Sequence, residues 1–176
     1  AIAAGNGDRL GRQLDACTQS PARVGAAMTI SATNSSDAKV SWANYGNCVD
    51  FFAPGVSITS AWHTGDNATS TISGTSMAAP HVAGVAALYL EANAGATPQQ
   101  VRDALYDLTT KGIVTSSSTS NNHLLYSPPE GFGGGGTPPP VNQAPVANFT
   151  FACTGLSCTF TDTSTDADGS VVGWSW

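Results

Sequence analysis

The sequence predicts an α/β fold for residues 1–128, followed by the beginning of a β-sandwich in residues 144–176. In the first region, short apolar strands alternate with helical patterns, which is typical of a parallel sheet flanked by helices. In the second region, apolar and polar residues alternate along two short runs, as in a hairpin with one buried face. The intervening residues 129–143 are rich in glycine and proline, a composition that favours an extended linker.

The first region contains a strand and a helix with clear patterns. A strand is predicted at residues 27–31, which read A-M-T-I-S. A helix is predicted at residues 76–94, where apolar residues lie on nearly every face and Gly95 supplies the C-terminal cap. Because a helix tolerates such a surface only when protein surrounds it, we expect this helix to be central and buried.

A second helix is predicted from its capping pattern. Thr97 can cap the helix, Pro98 suits its first turn, and Gln100 can reach back to close a capping box. Apolar residues then recur at intervals of three and four as far as Leu108. We therefore expect an amphipathic helix at the surface of the domain.

The second region reads as a hairpin. Residues 146–151 and 157–161 alternate apolar with polar side chains, and a turn is predicted between them at residues 154–156. Cys153 and Cys158 flank this turn and could bridge its strands. Residues 171–176 alternate again, which predicts a further strand without the rest of its sheet.

Composition excludes several classes of function. The chain has 6 Lys and Arg against 12 Asp and Glu, a net charge of −6, and its basic residues are scattered singly. Such a chain lacks the basic surface that binds nucleic acid. The longest apolar run, around residues 82–90, is too short to span a membrane. Four cysteines in two pairs indicate an oxidising, extracellular location, with free thiols in a reducing cell as the alternative.

The most informative stretch is residues 74–84, which read G-T-S-M-A-A-P-H-V-A-G. It places Ser76 at the mouth of the predicted helix, where free backbone N–H groups and the helix dipole favour negative charge. Ser76 is then either the N-cap of the helix, as most serines in this position are, or a nucleophile. Position alone favours the cap.

This stretch resembles the nucleophile motif of the subtilases, the subtilisin-like serine proteases, at every fixed position of G-T-S-M-A-x-P-H-V-A-G. Three other stretches resemble the family in the same order: A-A-G-N at residues 3–6, S-W-A-N-Y-G at residues 41–46 and F-A-P-G at residues 52–55. The resemblance covers residues 1–128 and is strongest to the proteinase K and aqualysin branch. It implies a subtilisin-like fold, of which these residues form the C-terminal part.

The resemblance also implies roles for individual residues. Ser76 would attack the scissile carbonyl of protein or peptide substrates, and Asn6 would donate a hydrogen bond to the oxyanion together with the Ser76 backbone N–H. Ala3, Ala4 and Gly5 would line the substrate-binding pocket.

Two members of the catalytic triad are not found in the sequence. The family carries its Asp in a D-[ST]-G segment and its His in H-G-T-H, both before the oxyanion Asn, and neither motif occurs here. A serine without a base is a weak nucleophile at neutral pH. We therefore expect residues 1–176 to be a fragment that is inactive alone, from a parent that is a secreted, monomeric serine endopeptidase.

Two structural features follow from the proteinase K and aqualysin branch. The resemblance implies a disulfide between Cys17 and Cys48. It also implies a structural calcium ion bound by the Asp50 carboxylate and the backbone carbonyls of Gly25 and Ala27, which are the hard oxygen ligands that calcium prefers.

The second region resembles the opening of a polycystic kidney disease (PKD) domain, an immunoglobulin-like sandwich. The resemblance lies in residues 142–149, 160–169 and 173–176. Such domains often accompany secreted bacterial proteases. The alternative to a protease is a subtilase-like protein without catalytic activity, which binds or adheres to its partners through this domain.

Overall fold

The computed structural model describes residues 1–129, 131–132, 146–154 and 157–165. The chain divides into two compact units, residues 1–139 and residues 140–176. Most of the predicted linker and the strand predicted at residues 171–176 lie outside the described residues, as do two residues of the predicted hairpin turn, Gly155 and Leu156. The assignment of the second unit to a PKD domain stays a prediction.

A parallel sheet forms the centre of the first unit. Its strands β1 (Ile2–Ala3), β2 (Thr29–Thr33) and β3 (Phe51–Pro54) lie in that order and pair in parallel. All five residues of β2 are buried, because the central strand of a parallel sheet is covered on both faces. The strand predicted at residues 27–31 therefore exists, with bounds two residues later in the chain.

The helix α1 (Thr75–Ala92) packs its buried face, which includes Ala78, Val82 and Val85, against the sheet. The expectation that α1 is buried on every side is wrong within the described residues: Leu88 is 49% exposed. The sheet covers one face of the helix and leaves the opposite apolar face accessible.

The C-terminus of α1 also differs from the prediction. Asn93, not Gly95, is the C-cap: its backbone N–H donates to the carbonyls of Tyr89 and Leu90, and its side-chain amide donates to Tyr89. These bonds satisfy carbonyls that a helix end leaves without partners, so the helix ends at Ala92, two residues before its predicted end.

The helix α2 (Pro98–Leu108) is confirmed with its capping box. The Thr97 hydroxyl accepts a hydrogen bond from Gln100 N at 3.3 Å, and Thr97 N donates to Gln100 Oε1 at 2.8 Å. Val101, Leu105 and Leu108 form the buried face, as the spacing of apolar residues predicts.

The hairpin of β4 (Ile58–Ala61) and β5 (Thr69–Ile72) was not predicted. It is antiparallel and lies largely at the surface, and Thr59 and Thr71 share a 2.7 Å hydrogen bond across it. The hairpin directly precedes α1. The N-terminus of the helix is thus reached by a short turn from β5.

Both expected disulfides are present. Cys17 and Cys48 are bonded across a sequence separation of 31 residues, with their Cα atoms 5.1 Å apart. In the chain-entropy model, closing a loop of this length stabilises the fold by roughly 3 to 4 kcal/mol. The core of the first unit forms two clusters of buried residues, one of which contains the buried face of α1. The disulfide lies beside the other, the second core cluster: Ala4, Ala16, Ala22, Val49, Phe52 and Val114.

In the second unit, β6 (Phe149–Thr154) and β7 (Ser157–Asp162) form the predicted antiparallel hairpin. Cys153 and Cys158 are directly opposite each other and are joined by a disulfide. Phe151 also faces Phe160 across the strands, with ring centroids 6.2 Å apart. These aromatic side chains are exposed within the described residues.

No helix in the described part of the chain has the length and apolar character needed to cross a membrane.

We expect one histidine to make the stability of the first unit sensitive to acid. The Nδ1 atom of His123 is buried and has no hydrogen-bond partner among the described residues. Burial lowers the pKa of His123 below its usual 6.5, and the charge of Lys111 lowers it further. Since the unfolded chain takes up this proton first, the stability that depends on neutral His123 is complete above pH 6.5 and is lost as the pH falls through the folded-state pKa.

We therefore expect the substitution His123→Gln to reduce the acid sensitivity of the intact protein. Urea midpoints measured at about pH 7.5 and about pH 5 should differ less in this variant than in the wild type. The exposed His63 offers the matched control, because His63→Gln should leave the difference unchanged. An unchanged pH dependence in His123→Gln would contradict this account.

Candidate active site

Ser76 lies in the first turn of α1. The N-cap is Gly74, so the interpretation of Ser76 as the helix N-cap is wrong. The serine is exposed, whereas the preceding Thr75 is fully buried. Thr75 N donates to Asn6 Oδ1 and Met77 N to Gly74 O, so Ser76 presents an exposed hydroxyl beside its own backbone N–H, which has no partner within the first helical turn.

Asn6 is anchored to the same turn through one end of its amide. Its Oδ1 accepts hydrogen bonds from Thr75 N at 2.9 Å and from Thr75 Oγ1 at 2.8 Å. Because a backbone N–H can only donate, the amide atom beside Thr75 N must be the oxygen. The Nδ2 group of Asn6 is therefore the end that faces away from Thr75 and remains able to donate.

Two donors border one open space beside Gly74. A Cβ atom on Gly74 would lie 3.4 Å from Asn6 Nδ2 and 3.6 Å from Ser76 N, with Met77 Sδ at 3.4 Å on another side. Glycine places no side chain between these atoms. A substrate oxygen in contact with Gly74, farther out than the Cβ position, could accept from the side chain of Asn6 and the backbone of Ser76, which is the arrangement that stabilises an oxyanion.

The segment from Ala3 to Gly5 connects the sheet to this site. Ala4 N donates to Ile30 O at 2.9 Å, which continues the pairing of β1, and Gly5 N donates to Thr75 Oγ1 at 3.1 Å. Ala4 is fully buried in the second core cluster, while Ala3 and Gly5 are half-buried. The side chain of Ala4 therefore packs inward, and the substrate pocket predicted from these residues stays a prediction.

Asn44 fixes the position of the Ala4–Gly7 segment through three hydrogen bonds. Its Nδ2 donates to Ala4 O at 2.8 Å, its Oδ1 accepts from Gly7 N at 3.0 Å, and its own N–H donates to Gly5 O at 2.9 Å. Only 2% of Asn44 is exposed, so these bonds lie in a dry environment, where they fix the loop strongly. Asn44 belongs to the S-W-A-N-Y-G stretch, and no role was predicted for it from the sequence.

Gly5 is the residue that permits this close approach. Its φ angle is +104°, in the region that side chains other than hydrogen disfavour. A Cβ atom at this position would also overlap the Asn44 amide nitrogen. Backbone conformation and lack of space thus both require glycine beside Asn6.

No histidine lies in a position to act as the base for Ser76 among the described residues. His81 uses Nδ1 in a 2.8 Å contact with the Met77 carbonyl, one turn earlier in α1. His63 is exposed in the segment between β4 and β5, and His123 packs against Tyr106 with ring centroids 5.4 Å apart. The described residues thus bring an exposed serine hydroxyl close to two N–H donors, and place no histidine beside it.

Comparisons with known proteins identify the family of the first unit. Residues 1–129 match the family model described as the subtilase family. The chain belongs to this family. A crystal structure of a cold-adapted subtilisin-like serine proteinase matches with a TM-score of 0.65 and 50% identity, covering 70% of this chain and 43% of that chain. The predicted subtilisin-like fold is confirmed, with its parallel sheet and helices.

Curated subtilases are similar over the same region. The extracellular serine proteinase of Thermus sp. (strain Rt41A) is 58% identical over 113 residues, which is 64% of this chain and 26% of that protein. The alkaline serine exoprotease A of Vibrio alginolyticus is 51% identical over 114 residues, which is 65% of this chain and 20% of that protein. The chain therefore spans about a quarter or less of the length of these relatives.

The residues predicted to bind calcium also come together, with an additional partner. Gly25, Ala27 and Asp50 line one cavity of ≈ 140 Å³, and Arg102 from α2 lines it as well. The guanidinium of Arg102 donates to Asp50 Oδ1 at 2.6 Å and to the carbonyl of Gly25. As arranged, these oxygens are engaged by an internal cation and do not fit a calcium ion.

Thr75 bonds to Asn6 through its hydroxyl, so its effect can be tested separately from that of Ser76. Thr75→Val removes the hydroxyl that bonds to Asn6 Oδ1 and Gly5 N but keeps the backbone N–H bond to Asn6. Since one hydrogen bond contributes about 0.5 to 1.5 kcal/mol, we expect kcat on a peptide substrate to fall by about 2- to 10-fold. Steady-state kinetics of the intact protein would measure this.

Thr59→Val is the matched control, since its hydroxyl bonds only to Thr71 among the described residues, on the exposed hairpin. This control should leave kcat unchanged. A Thr75→Val protein that raised KM alone would show that Thr75 does not position the oxyanion donors.

Proposed function

We propose that residues 1–129 are the part of a secreted serine endopeptidase that carries the nucleophile and the oxyanion hole. The observation that carries this proposal is the anchoring of Asn6 Oδ1 by Thr75, which leaves Asn6 Nδ2 and Ser76 N on one open space. A serine that only capped a helix would not require a second donor beside it.

In the proposed mechanism, Ser76 Oγ attacks the carbonyl carbon of a peptide bond in a protein substrate. The negative charge that develops on the carbonyl oxygen is stabilised by Asn6 Nδ2 and the Ser76 backbone N–H. A base takes the proton of Ser76 Oγ during the attack and gives it to the amine as the intermediate collapses. The acyl group that remains on Ser76 is then hydrolysed by water. The donors are fixed before the reaction, so little reorganisation is needed when the charge appears.

The base for this reaction is proposed to come from outside residues 1–176. In the family, an Asp and a His complete the triad, and they precede the oxyanion Asn in the chain. We accordingly propose that residues 1–176 alone are inactive and that the intact protein is active. The name of the Thermus relative, an extracellular serine proteinase, supports secretion of the intact protein, as do the two disulfides of this chain.

A fluorophosphonate probe tests the proposal, because it reacts covalently with a serine that a base has activated. In the intact protein, mass spectrometry should locate the label on Ser76, and residues 1–176 expressed alone should remain unlabelled. Absence of label in the correctly folded intact protein would favour the alternative, a subtilase-like protein that binds partners through its second unit without catalysis.

A further inference from the structure

The guanidinium of Arg102 lies where the family resemblance places a metal ion. It bridges two segments that are far apart in the chain: Nη2 donates to Asp50 Oδ1 at 2.6 Å, and Nη1 donates to the carbonyl of Gly25. The Arg102 and Asp50 side chains are 28% and 15% exposed, so the pair is largely shielded from water. One planar cation thus contacts two of the three groups expected to bind calcium.

The second oxygen of Asp50 is also engaged. Its Oδ2 accepts a 2.7 Å hydrogen bond from Thr29 N, and Asp50 N donates to Thr29 O at 2.9 Å. Both carboxylate oxygens are therefore bonded to donors from the protein itself. Calcium takes six to eight oxygen ligands, and an oxygen already paired with a guanidinium is poorly placed to serve as one.

The charge around the cavity also disfavours a divalent ion. Among the residues that line it, Asp50 carries the sole negative charge, while Arg102 and Arg23 carry two positive charges. In the described part of the chain, no group of three or more His, Cys, Asp or Glu side chains is arranged to hold a metal. A calcium ion would meet a net positive surface, unless Arg102 left the cavity and exposed Asp50.

We propose that Arg102 takes the place of calcium in this protein, so that the site at Asp50 is closed by an internal cation and binds no metal. The guanidinium then fastens α2 to the loop of residues 22–27, as a bound ion would fasten Asp50 to that loop. Arginine suits this role because it stays charged at all ordinary pH values and offers donors in a fixed plane. Arg102→Gln removes the charge and frees the oxygens, which makes a cation site available.

Thermal melting of the intact protein tests this proposal without relying on its activity. The protein is treated with a serine-protease inhibitor to prevent self-digestion, and Tm is measured in EDTA and in millimolar calcium. If the site at Asp50 binds no calcium, any effect of calcium on Tm comes from other parts of the protein. Calcium should therefore raise the Tm of the wild type and of Asp50→Asn by the same amount. In EDTA, Arg102→Gln should lower Tm by about 2 to 8 °C.

The second expected result is a gain of calcium response. Calcium should raise the Tm of Arg102→Gln more than that of the wild type, and the double variant with Asp50→Asn should lose this gain. Arg12→Gln is the matched control, since it breaks the exposed Asp8–Arg12 pair. That control should change Tm by less than about 2 °C and leave the calcium response unchanged.

Three results would overturn the proposal: a larger calcium response in the wild type than in Asp50→Asn, an unchanged Tm for Arg102→Gln in EDTA, or no gain of calcium response in that variant. If the variants do not fold, a crystal structure of the wild type grown in millimolar calcium decides the question. Guanidinium density at Asp50 would support the proposal, and an ion in its place would refute it.

Discussion

Replacing Ser76 by alanine should abolish peptide hydrolysis by the intact protein while leaving the fold unchanged. Ser76 is exposed in the first turn of α1 and is not the N-cap, so loss of its hydroxyl removes the proposed nucleophile but no cap that the helix requires. We expect kcat to fall by about 10⁶-fold, a magnitude taken from the nucleophile of a subtilisin, a member of the same family. Kinetics on a chromogenic peptide would measure the loss.

Ser73→Ala provides the control for this experiment. Ser73 lies three residues earlier in the same segment, and its Oγ accepts a hydrogen bond from Ser57 N at 2.9 Å. Loss of the Ser73 hydroxyl should lower the free energy of unfolding by at most about 1.5 kcal/mol. It should leave the activity unchanged. Retention of substantial activity in Ser76→Ala, with an unchanged melting temperature, would show that another residue is the nucleophile.

The second large effect is expected for Asn6→Ala. This change removes the side-chain donor beside Gly74 but keeps the Ser76 backbone donor, so catalysis should be weakened without being abolished. For an Asn in this role, kcat falls by about 10²- to 10³-fold, or about 2.7 to 4 kcal/mol of transition-state stabilisation, a value that comes from a subtilisin. KM should change little, because the bond forms only as the charge develops.

The exposed Asn67, in the segment between β4 and β5, is the control, and Asn67→Ala should leave both constants unchanged. The double variant Asn6→Ala with Thr75→Val tests the coupling between the two residues. Since Thr75 is expected to act through Asn6, its substitution should have little further effect once Asn6 is absent. Fully additive effects would contradict that arrangement.

Local sequence signals predicted those parts of the structure that depend on local interactions. The capping box of Thr97 and Gln100 needs only residues three apart, and it placed the start of α2 correctly. The hairpin of β4 and β5 was missed, although Gly65 and Asn67 lie between two runs rich in threonine and isoleucine. Turn residues between two β-branched runs are typical of a hairpin, and this pattern could have predicted β4 and β5.

Features that depend on distant residues had no such signal. Arg102 meets the Gly25 carbonyl across 77 positions, and Asn44 bonds to Ala4 across 40 positions. Nothing in the pattern of α2 distinguishes Arg102 from an ordinary surface arginine. The sequence likewise predicted an apolar helix at α1 but not which of its faces the sheet covers, because that depends on packing rather than on periodicity.

The position of Asn44 also has a consequence for how this protein could evolve. A single buried amide fixes the carbonyl of Ala4, the carbonyl of Gly5 through its backbone, and the N–H of Gly7. The segment proposed to contact substrate and the proposed oxyanion donor are therefore one rigid unit with little freedom to diversify. New substrate preferences would arise more readily from changes in exposed loops such as the segment between β4 and β5, which shares no hydrogen bond with Asn44 among the described residues.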